Sequence, residues 1–206
     1  MFNSVVIFKI LIVVILSYLL GSINSSIIIG KIMTGGDIRK QGSGNAGATN
    51  ALRVLGKKGG ILTLLGDILK TVIAILISML ILNENKDIAV YFSGAAAIVG
   101  HNYPIWFGFK GGKGIAVSIT AILFADYRIG LIVIVVSVLI MAITKYVSLG
   151  SIIGSLLCIA LAIILRRSDI YFVIFVIFVG LLAIYRHKAN IVRLLKGEES
   201  KLGSKK

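Results

Sequence analysis

The chain contains a single cysteine, Cys158, so an internal disulfide is excluded. The thiol lies in an apolar run with no basic neighbour to activate it, which favours a buried, inert thiol over a nucleophile. Histidine is scarce as well: His101 and His187 are the only two, and no spacing of His, Cys, Asp or Glu reads as a metal site. Neither a metal nor a cofactor is expected. Acidic residues number eight against 22 Lys and Arg, for a net charge of +14. In a soluble protein that balance would point to nucleic acid, but no exposed aromatics alternate with the basic residues, and nucleic acid is not expected as a partner.

What the chain has in abundance is apolar surface. Hydrophobic residues make up 58% of the 206 positions, and mean hydropathy is +1.03. Seven apolar segments stand out, at Val5–Ile32, Gly60–Leu82, Ile88–Gly100, Ile115–Ala125, Ile129–Thr144, Leu149–Leu165 and Ile170–Tyr185. Apolar runs of this kind cross bilayers as helices, because lipid offers no partner for an open backbone. The fold predicted is an all-α bundle of seven transmembrane helices forming one domain over residues 1–206. The third and fourth segments are short, which suits broken or re-entrant helices. The first segment has no Ala-x-Ala site after it and reads as an uncleaved span rather than a leader.

Seven crossings put the two termini on opposite sides. Sixteen of the 22 Lys and Arg then fall on the side of the C-terminus and five on the other, with Lys70 inside a span. The richer side, which includes Lys205 and Lys206, is therefore expected to be cytoplasmic and the N-terminus external. From about residue 186 the chain continues as a basic amphipathic tail suited to anionic membrane lipid. Asp67 and Lys70, three apart within the second segment, read as an ion pair that fixes helix packing.

Two basic, glycine-rich stretches interrupt this pattern on the richer side: GSGNAGATN (Gly42–Asn50) and FKGGKG (Phe109–Gly114). Glycine lets backbone N–H groups close around a small anion, and lysine supplies countercharge. The first stretch adds donors for an oxyanion in Ser43, Asn45, Thr49 and Asn50, with Arg53 three residues on as a bidentate phosphate grip. Its G-x-G-x-x-G follows a membrane helix rather than a strand, so it fails as a dinucleotide fingerprint. In the second stretch Lys110 and Lys113 stand among Gly111, Gly112 and Gly114, preceded by His101 and Pro104. Lys113 is followed by glycine rather than Ser or Thr, so it fails as a Walker loop. His187, Asn190 and Arg193 recur at helical spacing where the last span leaves the membrane. The acidic partner of an H-x-x-x-x-D acyltransferase motif is absent, since Trp106 and Val192 stand five residues after the two histidines.

GSGNAGATN with Arg53, GHNYPIWFGFKGGKGIA (Gly100–Ala116), VSLGSI (Val147–Ile152) and HKANIVRLLKGEE (His187–Glu199), taken in order, resemble the acyl-phosphate:glycerol-3-phosphate acyltransferases of bacterial inner membranes. The resemblance spans nearly the whole chain. Ile115 and the pair Val117–Ser118 depart from the usual Val and Ala-Thr. The resemblance implies a compact seven-helix enzyme with a cytoplasm-facing site. Such an enzyme moves a fatty acyl group from acyl phosphate to the 1-position of glycerol 3-phosphate. By motif, Ser43 and Arg53 fall in its first functional loop, and Lys110, Gly111, Gly112, Lys113 and Gly114 in the loop associated with glycerol 3-phosphate. Ser151 falls in its serine motif, and His187, Asn190 and Glu199 in its third. A transporter of a phosphorylated solute is the alternative that the anion loops and the Asp67–Lys70 pair also suit.

Overall fold

The computed structural model describes residues 3–203, and every regular element among them is helical. Lys205 and Lys206 of the charge count lie outside the described residues. The chain divides into two units, Met1–Ala121 and Ile122–Lys206.

The first unit holds α1 (Ser4–Gly21), α2 (Ser25–Thr34), α3 (Ala48–Ile81) and α4 (Lys86–Asn102), with short 3-10 turns at Ile38–Lys40 and Ile105–Phe107. Helix α1 packs on α3 and α4, and α3 packs on α2 and α4. Gly21 and Gly100 set the α1–α4 crossing. A Cβ at Gly21 would strike the Ala97 backbone, and one at Gly100 would strike the Tyr18 carbonyl. Small residues at such crossings let helices approach where no water drives them together. Helix α5 (Ile115–Ala125) begins in this unit.

The second unit holds α6 (Tyr127–Thr144), α7 (Val147–Leu165), α8 (Ile170–Arg186) and α9 (Lys188–Leu195). Helix α7 packs between α6 and α8, and α9 rests on both α7 and α8. Asp126 and Asp169 cap α6 and α8 by accepting from Arg128 N and Phe172 N. Such caps contribute about 1 kcal/mol each.

Large apolar side chains face outward on the long helices; Leu80 and Ile143 are each 79% exposed. Polar side chains turn inward, as Ser17, Ser78 and Asp67 do. That inversion suits lipid as solvent. Among the described residues four stretches are long and apolar enough to cross a bilayer: Ser4–Thr34, Ala48–Ile81, Tyr127–Thr144 and Val147–Leu165. Helices α8 and α9, bent by 57° at His187, make a fifth if read as one span. Helix α5 has 11 residues; at 1.5 Å per residue it rises roughly 16 Å, about half of a ~30 Å hydrocarbon core.

The structure departs from the expected single helix over Val5–Ile32, because the first segment is broken. Asn24 caps α2, and its Oδ1 accepts from Ile27 N at 3.2 Å. In an unbroken helix that N–H would serve the Ile23 carbonyl. The Ile23 carbonyl instead accepts from Lys70 Nζ at 2.7 Å. The second segment also lies within a longer helix than expected: α3 starts at Ala48 and kinks at Gly56, whose φ of 72° departs from helix.

Candidate active site

In the first unit the two glycine-rich loops fold against each other. Ile27, Ile38, Ala46 and Ala51 form a small buried cluster, with Phe107, from the approach to the second loop, packed on it. Gly112 lies against the Ala46 carbonyl oxygen, which would stand 2.5 Å from an added Cβ. The Asn24 side chain reaches that same carbonyl, with Nδ2 at 3.4 Å.

The first loop is shaped by Asn50. Its Oδ1 accepts from Ser43 N at 2.8 Å, and its Nδ2 donates to Ile38 O and Gln41 O, each at 3.1 Å. Asn50 is fully buried, and these bonds fold residues 38–43 back over the start of α3. Ser43 and Arg53 are exposed, and Asn45 and Thr49 are half-buried. Gly42 and Gly44 have φ of 58° and 72°, a region that glycine enters without penalty.

The second loop docks on the C-terminal end of α4. Gly111 N donates to Asn102 O and Gly112 N to His101 O, both at 3.1 Å. A Cβ on Gly111 would strike the His101 carbonyl, and one on Gly112 would strike the His101 ring. Close backbone approach thus explains both glycines, rather than an open cradle of their N–H groups. Lys110 is exposed and Lys113 half-buried. Gly114, with φ of 79°, turns the chain into α5 beside the buried Asn102 amide.

Under this loop lies a buried ionic network. Lys70 Nζ is 2.9 Å from Asp67 Oδ1 and 3.0 Å from His101 Nδ1. Ser25 donates to the same Asp67 oxygen at 3.0 Å. An ammonium has no lone pair to offer, so His101 Nδ1 accepts from it in the neutral ring; the same nitrogen stands 3.5 Å from Asp67 Oδ1, close enough to pair with it when protonated. The Asp67–Lys70 pair expected from spacing is therefore present, and it reaches the loop through His101, which the sequence places ahead of that loop.

Asp37 and Arg39, by contrast, stand outside the quoted motifs. The Asp37 carboxylate accepts from Arg39 N, Nε and Nη2 over 2.7–3.0 Å. Hydrogen bonds from Arg39 hold the Asp37 carboxyl below its ordinary pKa. Arg39 Nη1 donates onward to Phe107 O at 2.8 Å and Lys110 O at 2.9 Å. The signal available in the sequence was the D-x-R spacing just ahead of the first loop, suited to an Asx turn.

In the second unit Glu199 organises the tail. Its Oε1 accepts from Ser148 Oγ and Asn190 Nδ2, each at 2.7 Å, and its Oε2 accepts from Arg193 Nε at 2.8 Å. Burial alone would raise this carboxyl's pKa, but the three donors outweigh it and hold the group below its ordinary value. Ser148, rather than Ser151, is the member of VSLGS that meets Glu199. Ser151 Oγ donates back to Val147 O at 3.0 Å. His187 is buried at the α8–α9 bend, with Nδ1 2.8 Å from the Ala183 carbonyl. A carbonyl only accepts, so Nδ1 carries the ring's proton, and Nε2 keeps the lone pair in the neutral ring.

Comparison with known proteins adds to this geometry. Residues 11–197 match the model of the family described as glycerol-3-phosphate acyltransferase. A protein of that name from Clostridioides difficile (strain 630) is 44% identical over 203 residues, covering 97% of this chain and 98% of its own. One from Staphylococcus saprophyticus is 45% identical over 199 residues, covering 94% and 98%. The crystal structure of PlsY, an integral membrane glycerol 3-phosphate acyltransferase in its glycerol 3-phosphate form, superposes with a TM-score of 0.86 at 39% identity, covering 94% of this chain and 96% of that one. Its lysophosphatidic acid form superposes with a TM-score of 0.83 at 38% identity. A family match over most of the length, with this identity to relatives of the same size, places the chain in the glycerol-3-phosphate acyltransferase family.

Proposed function

We propose that this acyltransferase moves a fatty acyl group from acyl phosphate to the 1-hydroxyl of glycerol 3-phosphate, giving 1-acyl-glycerol 3-phosphate (lysophosphatidic acid) and inorganic phosphate. It works as a single seven-helix domain at the cytoplasmic face of a bacterial inner membrane, with its N-terminus outside. The observation that carries this reading is the packing of the two basic, glycine-rich loops at Ala46 and Gly112. Two phosphate-bearing substrates repel each other, and paired cationic loops answer that repulsion.

In this mechanism Arg53 and Ser43 hold the acyl-phosphate head, with Asn45, Thr49 and Asn50 shaping or lining its loop. Lys113 and Lys110, on the loop of Gly111, Gly112 and Gly114, hold glycerol 3-phosphate. His187 and Asn190 orient the attacking hydroxyl, and Ser151 completes the machinery. Glu199 acts by holding Asn190 and Arg193, since a carboxylate that accepts three hydrogen bonds is a poor ligand for an anion. The hydroxyl oxygen attacks the acyl carbonyl carbon, the bond from that carbon to the bridging oxygen breaks, and phosphate departs. The proton leaves to His187 Nε2, a role that the Nδ1–Ala183 hydrogen bond supports. The acyl phosphate is a mixed anhydride, so positioning and charge control supply most of what the reaction needs. The acyl chain lies in membrane lipid.

The test is phosphate release from acyl phosphate by the purified protein in detergent, with and without added glycerol 3-phosphate. Release that depends on glycerol 3-phosphate is the expected result. Release independent of it would overturn the reading, and movement of a phosphorylated solute across vesicles without release would favour transport.

A further inference from the structure

Arg39 belongs to the lead-in of the first glycine-rich loop, yet its guanidinium grips the second. Four of its five N–H groups are engaged. The Nε proton is shared between both Asp37 oxygens at 3.0 Å, one Nη2 proton goes to Asp37 Oδ2 at 2.7 Å, and the two Nη1 protons go to Phe107 O and Lys110 O. Asp37 also accepts from Arg39 N at 2.9 Å, so the 3-10 turn Ile38–Lys40 and the ion pair form one rigid piece. That piece is tied in turn to Asn50, which donates to the carbonyls of Ile38 and Gln41 on either side of it.

The two carbonyls that Arg39 grips bracket a turn that does not form readily by itself. Between them Gly108 has φ of 66° and Phe109 φ of 58°. A left-handed conformation suits Gly108 but costs a bulky L-residue such as Phe109 about 1 kcal/mol or more. Phe109 N donates to Pro104 O at 2.9 Å. The turn sets the direction in which Lys110 to Gly114 leave, and hence where both lysines stand. A charged donor on each flanking carbonyl is what keeps such a turn closed.

We propose that the Arg39–Asp37 pair is a positioning clamp that fixes the second glycine-rich loop against the first and so sets the spacing of the two phosphate sites. The inference rests on the proposed function for its kinetic half, while the clamp itself is a statement about backbone order that holds whatever the reaction. Arginine is required because one planar fork must meet a carboxylate along one edge and two carbonyls along another. A lysine ammonium, with three protons on one nitrogen, cannot span both.

The experiment compares the full-length protein with Arg39→Ala, Arg39→Lys and Asp37→Asn in detergent micelles. Hydrogen exchange is read over residues 107–114, alongside initial rates with each substrate varied. Arg39→Ala is expected to speed exchange in that segment and raise KM for glycerol 3-phosphate about tenfold, the scale of one lost charged hydrogen bond. The KM for acyl phosphate and the melting temperature should move little. Asp37→Asn should shift both readouts the same way but less, and Arg39→Lys should recover only part of the loss. Exchange unchanged in the loop overturns the clamp. Faster exchange with an unaltered KM for glycerol 3-phosphate overturns its link to substrate, as does an equal rise in both Michaelis constants. If Arg39→Ala fails to fold, Arg39→Lys and Asp37→Asn carry the same readouts. A wild-type protein without glycerol-3-phosphate-dependent release would sink the functional reading, while the exchange data would still decide the clamp.

Discussion

Lys70 Nζ donates to the Ile23 carbonyl at 2.7 Å, the backbone group released where α1 gives way to α2. One side chain of α3 thereby satisfies a carbonyl in the break between two other helices, and its second partner, Asp67 at 2.9 Å, balances its charge. The broken span and the buried ion pair are a single feature, since neither would be tolerated in lipid without the other.

Lys70→Met should therefore be more damaging than loss of a buried pair as a whole. It leaves Asp67 without its ammonium partner, with Ser25 and the His101 ring still near, and the Ile23 carbonyl without a donor. Removing one partner of a buried pair costs about 3–5 kcal/mol, whereas replacing both with apolar groups is often far milder. Thermal melts in detergent should show Lys70→Met below the double variant Asp67→Leu/Lys70→Met. Additive losses in the double variant would contradict the coupling.

Gly112 and Gly56 are both glycines, but for different reasons, and alanine separates them. At Gly112 an added Cβ would strike the His101 ring and crowd the Ala46 carbonyl, so Gly112→Ala should displace the loop and raise KM for glycerol 3-phosphate more than that for acyl phosphate. At Gly56 nothing lies within 4 Å of an added Cβ. Only the backbone opposes Gly56→Ala: φ of 72° with ψ of −171° is a region nearly reserved for glycine, at a cost of about 1–3 kcal/mol. Kinetics of the two variants side by side should leave the ratio of the two Michaelis constants unchanged in Gly56→Ala. Equal effects on both Michaelis constants in Gly112→Ala would sink the loop's assignment to glycerol 3-phosphate.

The helices were legible because apolar runs in a membrane chain announce themselves without periodicity, and the two loops because glycine and lysine interrupt those runs. The break at Asn24 was not legible. Its flanks, GSINSSIIIG, are apolar enough to continue, and the donor that rescues Ile23 stands 47 residues away. Arg39 was passed over for a related reason. In sequence it is one more cytoplasmic-type cation, and only its bonds to carbonyls 68 and 71 residues on distinguish it from Lys40. Glu199 closes the third motif, where the resemblance implies a place in the site. Its bond from Ser148, 51 residues back, is what sequence spacing could not show.

That latch is expected to be sensitive to acid. The Glu199 carboxyl sits below its ordinary value of 4.5, because Ser148, Asn190 and Arg193 favour the charged form more than burial disfavours it. A depressed folded pKa means that the latch contributes fully above about pH 4.5 and fades as pH falls through the folded value. Glu199→Gln should loosen the tail at every pH. Limited proteolysis of residues 196–203 should be slow at pH 7 and faster in acid for wild type, but pH-independent and fast for the variant, once the protease's own profile is divided out. A wild-type tail cut equally at both pH values would rule out the latch.

His187 offers the sharpest division between two routes for the proton. With Nδ1–H committed to the Ala183 carbonyl, the neutral ring keeps its lone pair on Nε2, as a general base requires. On that basis His187→Gln, which can still donate and accept at similar reach, should lower kcat about a hundredfold or more while leaving KM for acyl phosphate near wild type. The acid limb of the wild-type rate profile, set by protonation of the imidazole, should vanish from whatever rate remains. A variant that keeps substantial turnover with an unchanged pH profile would assign the proton to an oxygen of the departing phosphate. His187 would then be a positioning residue at the α8–α9 bend.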